Sequence, residues 1–194
     1  MEFQRNPVDA SLNVAVKLLA NKANPHGWDQ VKRFVDAPTT LYDQQAYLMA
    51  HGKVCIAEED SDGTIYDCAD TNHHLRAWHD AIHMAHDFAF NAAGEAAAAY
   101  VHIAQLAARY GINATTRRWS ALLLADLLGL VHYHCRTGLW PMDKREFALQ
   151  GAEGWQDEAN ALLDDFCIRM PEESVGIAIS RSRAKWGNPW ETVE

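Results

Sequence analysis

Basic charge is scarce in this chain. Lys and Arg number 17 against 26 Asp and Glu, which leaves a formal net charge of −9 and a pI near 5.5. A general nucleic-acid binder neutralises phosphates with clustered Lys and Arg, so that class is excluded. A nucleotide substrate is not, since one small basic pocket is enough for it. Cysteine is also sparse: Cys55, Cys68, Cys135 and Cys167 form no C-x-x-C pair. With no apolar leader in the opening residues, this spacing leads to the expectation of a reducing, cytoplasmic setting. No run approaches the roughly 18 apolar residues of a membrane-spanning helix, so no membrane association is expected. G-x-S-x-G, the P-loop and G-x-G-x-x-G are all missing, which removes the serine hydrolase elbow and the common phosphate cradles.

Histidine is abundant. Ten occur in 194 residues, more than half of them between His73 and His134. The densest stretch is L-R-A-W-H-D-A-I-H-M-A-H-D-F-A-F, which holds His79, Asp80, His83, His86 and Asp87. In a helix each residue advances about 100°, so His83 lies roughly 40° from His79 and His86 about 20° to its other side. Three imidazoles then share one stripe, flanked by Asp80, Met84 and Asp87. Two histidines at i and i+4 can bind one ion from a single helix face. Imidazole and carboxylate are the usual ligands of zinc, iron and manganese. The same stripe on an isolated helix also reads as a wet polar face.

The missing ligands are sought downstream. Glu95, in F-N-A-A-G-E, opens an alanine-rich helix, and His102 lies seven residues later on the same face. Asp126 stands in the apolar run L-L-L-A-D-L-L-G-L. A buried aspartate is costly unless paired or bound to a metal. Gly129 would leave room beside it, and Tyr133 falls on its face. Arg76, one turn before Asp80, is positioned to hold a carboxylate or an anionic substrate. The assignment is therefore His79, His83, Glu95 and Asp126 as ligands of a divalent zinc, manganese or iron ion. Asp80 and His86 would orient ligands or move protons, and Arg76, His102 and Tyr133 would contact substrate.

Periodicity predicts a mainly α, single-domain bundle over residues 1–194, with about six to eight helices packed round a central helix at 116–137. Further helices are predicted over residues 9–22, a short one near 28–35, then 41–51, 72–90, 95–110, 143–150 and 155–170. Val54-Cys55-Ile56 and Thr64-Ile65-Tyr66 flank the turn signal D-S-D-G, and a small β-hairpin near 53–67 is the simplest reading. Residues 171–194 lack apolar periodicity and read as an irregular tail. The pattern E-x-D-x-D-G at Glu58–Gly63 resembles the start of an EF-hand loop, but Ala69 stands where the closing glutamate should be. Cys55, Cys68, His73 and His74 form a second, minor zinc candidate.

The dyad His79-Asp80 with the distant helical Asp126 resembles the HD superfamily of metal-dependent phosphohydrolases. That resemblance implies an upstream metal ligand, here His51, and hydrolysis of a phosphate ester or nucleotide. The pattern W-H-D-x-x-H, F-x-x-x-G-E and a later helical Asp also looks like small helical proteins encoded by bacteriophages. Ferritin-like di-iron centres need Glu-x-x-His, which is missing here, whereas a hemerythrin-like set from His79, His83 and His102 stays open. The expected function is a metal-dependent hydrolase acting on a small-molecule substrate. A non-haem iron oxidoreductase with the same ligands is the first alternative. A non-enzymatic binding or assembly protein, in which the tryptophans anchor a partner or a second copy, is the other.

Overall fold

The computed structural model describes residues 6–166 and 171–191, with side chains of the second stretch described from residue 173. The fold is mainly α. In order it comprises α1 (Ala10–Ala23), β1 (Asp29–Val31), α2 (Leu41–His51), β2 (Cys55–Ala57) and α3 (Ala69–His86). These are followed by α4 (Ala92–Tyr110), α5 (Ala114–Leu124), a π turn (Ala125–Gly129), α6 (Leu130–Thr137), α7 (Lys144–Ala152), α8 (Gln156–Phe166) and α9 (Pro171–Trp186). Internal contacts group the chain into two compact units, one ending at Phe90 and the other beginning at Asn91. None of the described helices is long and apolar enough to cross a membrane.

In the first unit α1 packs on α3. Asp9 caps α1, its Oδ1 accepting from the amides of Ser11 and Leu12 at 3.0 and 3.2 Å. Leu12, Ala15, Val16, Leu19 and Ala20 are its buried face, at the spacing an amphipathic helix requires. Asn24 ends the helix and ties it to α3, its Nδ2 donating to the Ala77 carbonyl at 3.0 Å. Val54, Ile56 and Ala77 make a small core joined by Trp28 and Met84.

The sheet is not the predicted hairpin. β2 pairs in parallel with β1, in the register Asp29↔Cys55 to Val31↔Ala57. Residues 64–66 supply no strand, because the N-terminal segment occupies their backbone. The Val8 amide donates to the Ile65 carbonyl at 3.0 Å, and Asn13 Nδ2 to the Tyr66 carbonyl at 2.9 Å. The intervening loop leaves an extended course at Asp60 and Asp67, with φ of 56° and 54°. The short helix expected near 28–35 is β1 followed by a single 3-10 turn at Phe34–Asp36.

In the second unit α4 is buried on nearly every side from Ala96 to Leu106. Its alanines allow close approach, and α9 packs along it. That helix replaces the predicted irregular tail. Its buried positions are Ser174, Ala178 and Ser182, at steps of four and no more than 4% exposed. Small residues carry the contact, so no apolar period marks it in the sequence. Pro171 stands at the helix start, where a missing amide costs nothing. The end of the predicted helix 155–170 lies outside the described residues.

A polar network joins α4, α8 and α9. Tyr100 Oη and Lys185 Nζ both donate to the Glu158 carboxylate, and Trp186 Nε1 donates to Tyr100 Oη at 3.3 Å. Burial alone would push the Glu158 carboxyl up; the hydrogen bonds from Lys185 and Tyr100 outweigh it and hold it below the ordinary carboxylate range. A depressed folded pKa stabilises the fold above the unfolded value and loses that contribution as pH falls through the folded value. Glu158→Gln is therefore expected to flatten the acid limb of a melting-temperature profile below the ordinary carboxylate range. An unchanged slope there would show that Glu158 carries none of the acid sensitivity.

Candidate metal centre

α3 begins at Ala69 and runs to His86, so all three histidines are helical, as the spacing requires, while Asp87 ends the helix short of the predicted residue 90. His83 is fully buried, at 0% exposure. A buried imidazole needs partners for both nitrogens. Its Nδ1 lies 3.0 Å from the Phe88 carbonyl oxygen. A carbonyl only accepts, so Nδ1 carries the hydrogen, and neutral His83 presents a lone pair at Nε2. That Nε2 is 3.0 Å from Nε2 of His79, and the two rings meet edge to face at 4.6 Å.

The contact is a hydrogen bond between the rings, and its length also suits two ligands of one ion. Two imidazole nitrogens on one tetrahedral zinc, with bonds of about 2.0–2.1 Å, stand roughly 3.3 Å apart. The pair is within a few tenths of an ångström of that separation. Glu95 lies in the first turn of α4, whose start is capped by Asn91 Oδ1 accepting from the Gly94 amide at 2.8 Å. His79 and His83 each offer a ring nitrogen, and Glu95, in the second unit, offers a carboxylate oxygen. The group can hold a metal ion. Phe90 stands against the His83 ring at 4.6 Å and gives it an apolar wall.

The remaining predicted residues are distributed differently. Asp80 accepts from Gln44 Nε2 at 2.8 Å. Gln44 is fully buried and also binds both the carbonyl and the amide of Cys55, at 3.1 and 3.3 Å. One amide thus joins α2, β2 and α3 and orients Asp80. Nothing in the run Y-D-Q-Q-A-Y singles out Gln44 in the sequence. His86 departs from the stripe: its ring stacks on Phe88 at 5.2 Å. Burial holds this imidazole below its ordinary range, against an opposing pull from Asp87. Arg76 reaches away along the first unit, Nη1 donating to the carbonyls of Ala57 and Glu59 at 2.6 and 2.8 Å. Its guanidinium also covers the Phe34 ring at 4.9 Å. These contacts brace the loop after β2.

His102 and Asp126 belong to the second unit, buried at 0% and 6% exposure. Neither is a member of the three-residue group. The predicted continuous helix 116–137 is interrupted at Asp126 by the π turn, a feature frequent at functional sites. The wider turn shifts the helical phase, so the seven-residue spacing does not set Tyr133 on the face of Asp126. Tyr133 packs instead on Phe147, edge to face at 5.2 Å. At Gly129 an added Cβ would meet Trp155 Nε1 at 3.4 Å and Phe147 Cε1 at 3.5 Å, ordinary packing distances. His51 ends α2 and stacks on Tyr47 at 4.1 Å, outside the three-residue group. The second zinc candidate does not assemble among the described residues: Cys68 Sγ bonds Thr71 Oγ1 at 2.8 Å, and His74 packs on Trp28.

Comparison of the chain with family models, with curated proteins and with solved structures yields no match.

The Gln44 junction is open to direct test. Gln44→Ala removes three hydrogen bonds at a buried position, each worth about 1 kcal/mol or more when a buried partner is left unpaired. A denaturant titration is expected to show a loss of roughly 2–4 kcal/mol on that basis. A loss well below about 1 kcal/mol would mean that the three elements do not depend on this amide.

Proposed function

We propose that the protein is a metal-dependent hydrolase acting on a phosphate ester or nucleotide. The observation that carries this reading is the approach of the His79 and His83 Nε2 atoms to 3.0 Å on one helix face, with Glu95 as the proposed third ligand. Two histidines with one carboxylate are a ligand set used by catalytic zinc sites, which keep a further position open for water. A bound metal lowers the pKa of that water to about 7 and polarises the target oxygen. The chain's own residues then have defined tasks. His79 and His83 hold the ion from one helix face, and Glu95 completes the set. Asp80, oriented by Gln44, and His86 serve as positioning or proton-handling groups. Asp126 and His102 contribute a further ligand or a substrate contact. Support for a phosphate ester comes from the His79-Asp80 dyad and its resemblance to the HD phosphohydrolases.

A second reading rests on the same ligand set. Two histidines and a carboxylate with open positions are also the facial triad of non-haem iron oxygenases. The element bound decides between them. Elemental analysis of purified wild type is expected to give near-stoichiometric zinc or manganese, with hydrolysis of nitrophenyl phosphate esters. His83→Ala is expected to lose the metal and to drop that activity at least about a hundredfold. Iron with visible absorption and no hydrolysis selects the oxygenase reading. Full metal content in His83→Ala, or a wild type that takes up no ion on incubation with zinc, manganese or iron, overturns the metal centre.

A further inference from the structure

His83 is bound to the chain end of its own helix at two points. Its carbonyl accepts from the amides of Asp87 and Phe88, the latter at 3.1 Å, while its Nδ1 donates to the Phe88 carbonyl at 3.0 Å. This closed loop depends on Asp87. That residue has φ 55° and ψ 33°, the left-handed conformation, and it turns the chain back under the helix. A right-handed residue there would continue α3 and carry the Phe88 carbonyl away from the ring. Aspartate is among the few non-glycine residues that tolerate this conformation. Two further contacts hold the turn: Gln45 Nε2 on α2 donates to Asp87 Oδ1 at 2.8 Å, and the His86 ring stacks on Phe88. Phe88 itself is fully buried, so its carbonyl cannot drift.

We propose that Asp87 is a positioning residue for the metal ligand His83: its left-handed turn sets the Phe88 carbonyl on Nδ1, fixes the Nδ1–H tautomer and so presents the Nε2 lone pair to a cation. This deepens the metal reading above and rests on it. A hydrogen-bonded partner on the distal nitrogen is how metal-binding histidines are usually oriented, and it raises the basicity of the ligating nitrogen. The aspartate takes no part in binding the ion; it acts through the backbone.

The test combines nitrogen NMR of the imidazoles with titration of cobalt(II) alone. In wild type at mildly alkaline pH, His83 is expected to be the Nδ1–H tautomer before any metal is added. Asp87→Val, β-branched and averse to the left-handed conformation, is expected to mix the tautomers and weaken cobalt(II) binding about 10–100-fold. Asp87→Gly, which keeps the turn without the carboxylate, is expected to restore both. Should Asp87→Val not fold, Asp87→Ala replaces it as a milder bar to the same conformation. A wild-type His83 with its hydrogen on Nε2 overturns the proposal without any variant. So does unchanged cobalt(II) affinity in the folded variant. A wild type that shows Nδ1–H and binds no cobalt(II) defeats the metal reading and, with it, the purpose assigned to Asp87, while leaving the tautomer lock intact.

Discussion

A fully buried imidazole has to be satisfied at both nitrogens, and at His83 that demand organises the end of α3. One nitrogen is met by the Phe88 carbonyl, which requires a left-handed residue at 87 and a buried Phe88. The other is met by His79 one turn earlier, at 3.0 Å. With the hydrogen committed to Nδ1, the two Nε2 atoms converge on a point where a proton or a cation must lie. Glu95, in the first turn of α4, is the carboxylate proposed to complete the ligand set. The approach of the two rings is thus a consequence of how a polar helix face is buried. Gln44 performs the same service for Asp80, spending both ends of its amide on β2 and α3.

The second unit solves a different problem with little apolar bulk. α4 and α9 meet through alanine, serine and glycine-sized surfaces, and the specificity comes from polar groups at the border. Tyr100, Glu158 and Lys185 link three helices there. Asp126 sits in a π turn within the long helix. A widened turn frees backbone geometry and costs regularity, and such turns persist where a side chain has to be aimed.

What could be read from the sequence follows the strength of the local signal. The i, i+4 spacing of His79 and His83 placed them on one face, and the structure brings their rings together. The alanine run predicted α4 over 95–110, and with Asn91 as its cap the helix begins three residues earlier, at Ala92. Three features were not legible. The β1–β2 pairing is parallel and joins residues 26 positions apart at Asp29 and Cys55, so no turn signal could announce it. The pairing of residues 64–66 with the N-terminal segment is equally remote in sequence. Among the described residues of α9 the buried ones are Ser174, Ala178 and Ser182, and such small residues leave no hydrophobic period. The π turn changes the phase after Asp126, which is why the seven-residue step to Tyr133 misled. His86 obeys the stripe in angle, but Asp87 ends the helix beside it and turns its ring onto Phe88.

The proposed ion is held by His79 Nε2, His83 Nε2 and the Glu95 carboxylate. Anomalous diffraction at the absorption edge of the bound or soaked metal tests this most directly. A single strong peak is expected within about 2.0–2.3 Å of all three ligand atoms. No peak there in metal-soaked crystals, or a peak held by other side chains, would contradict it.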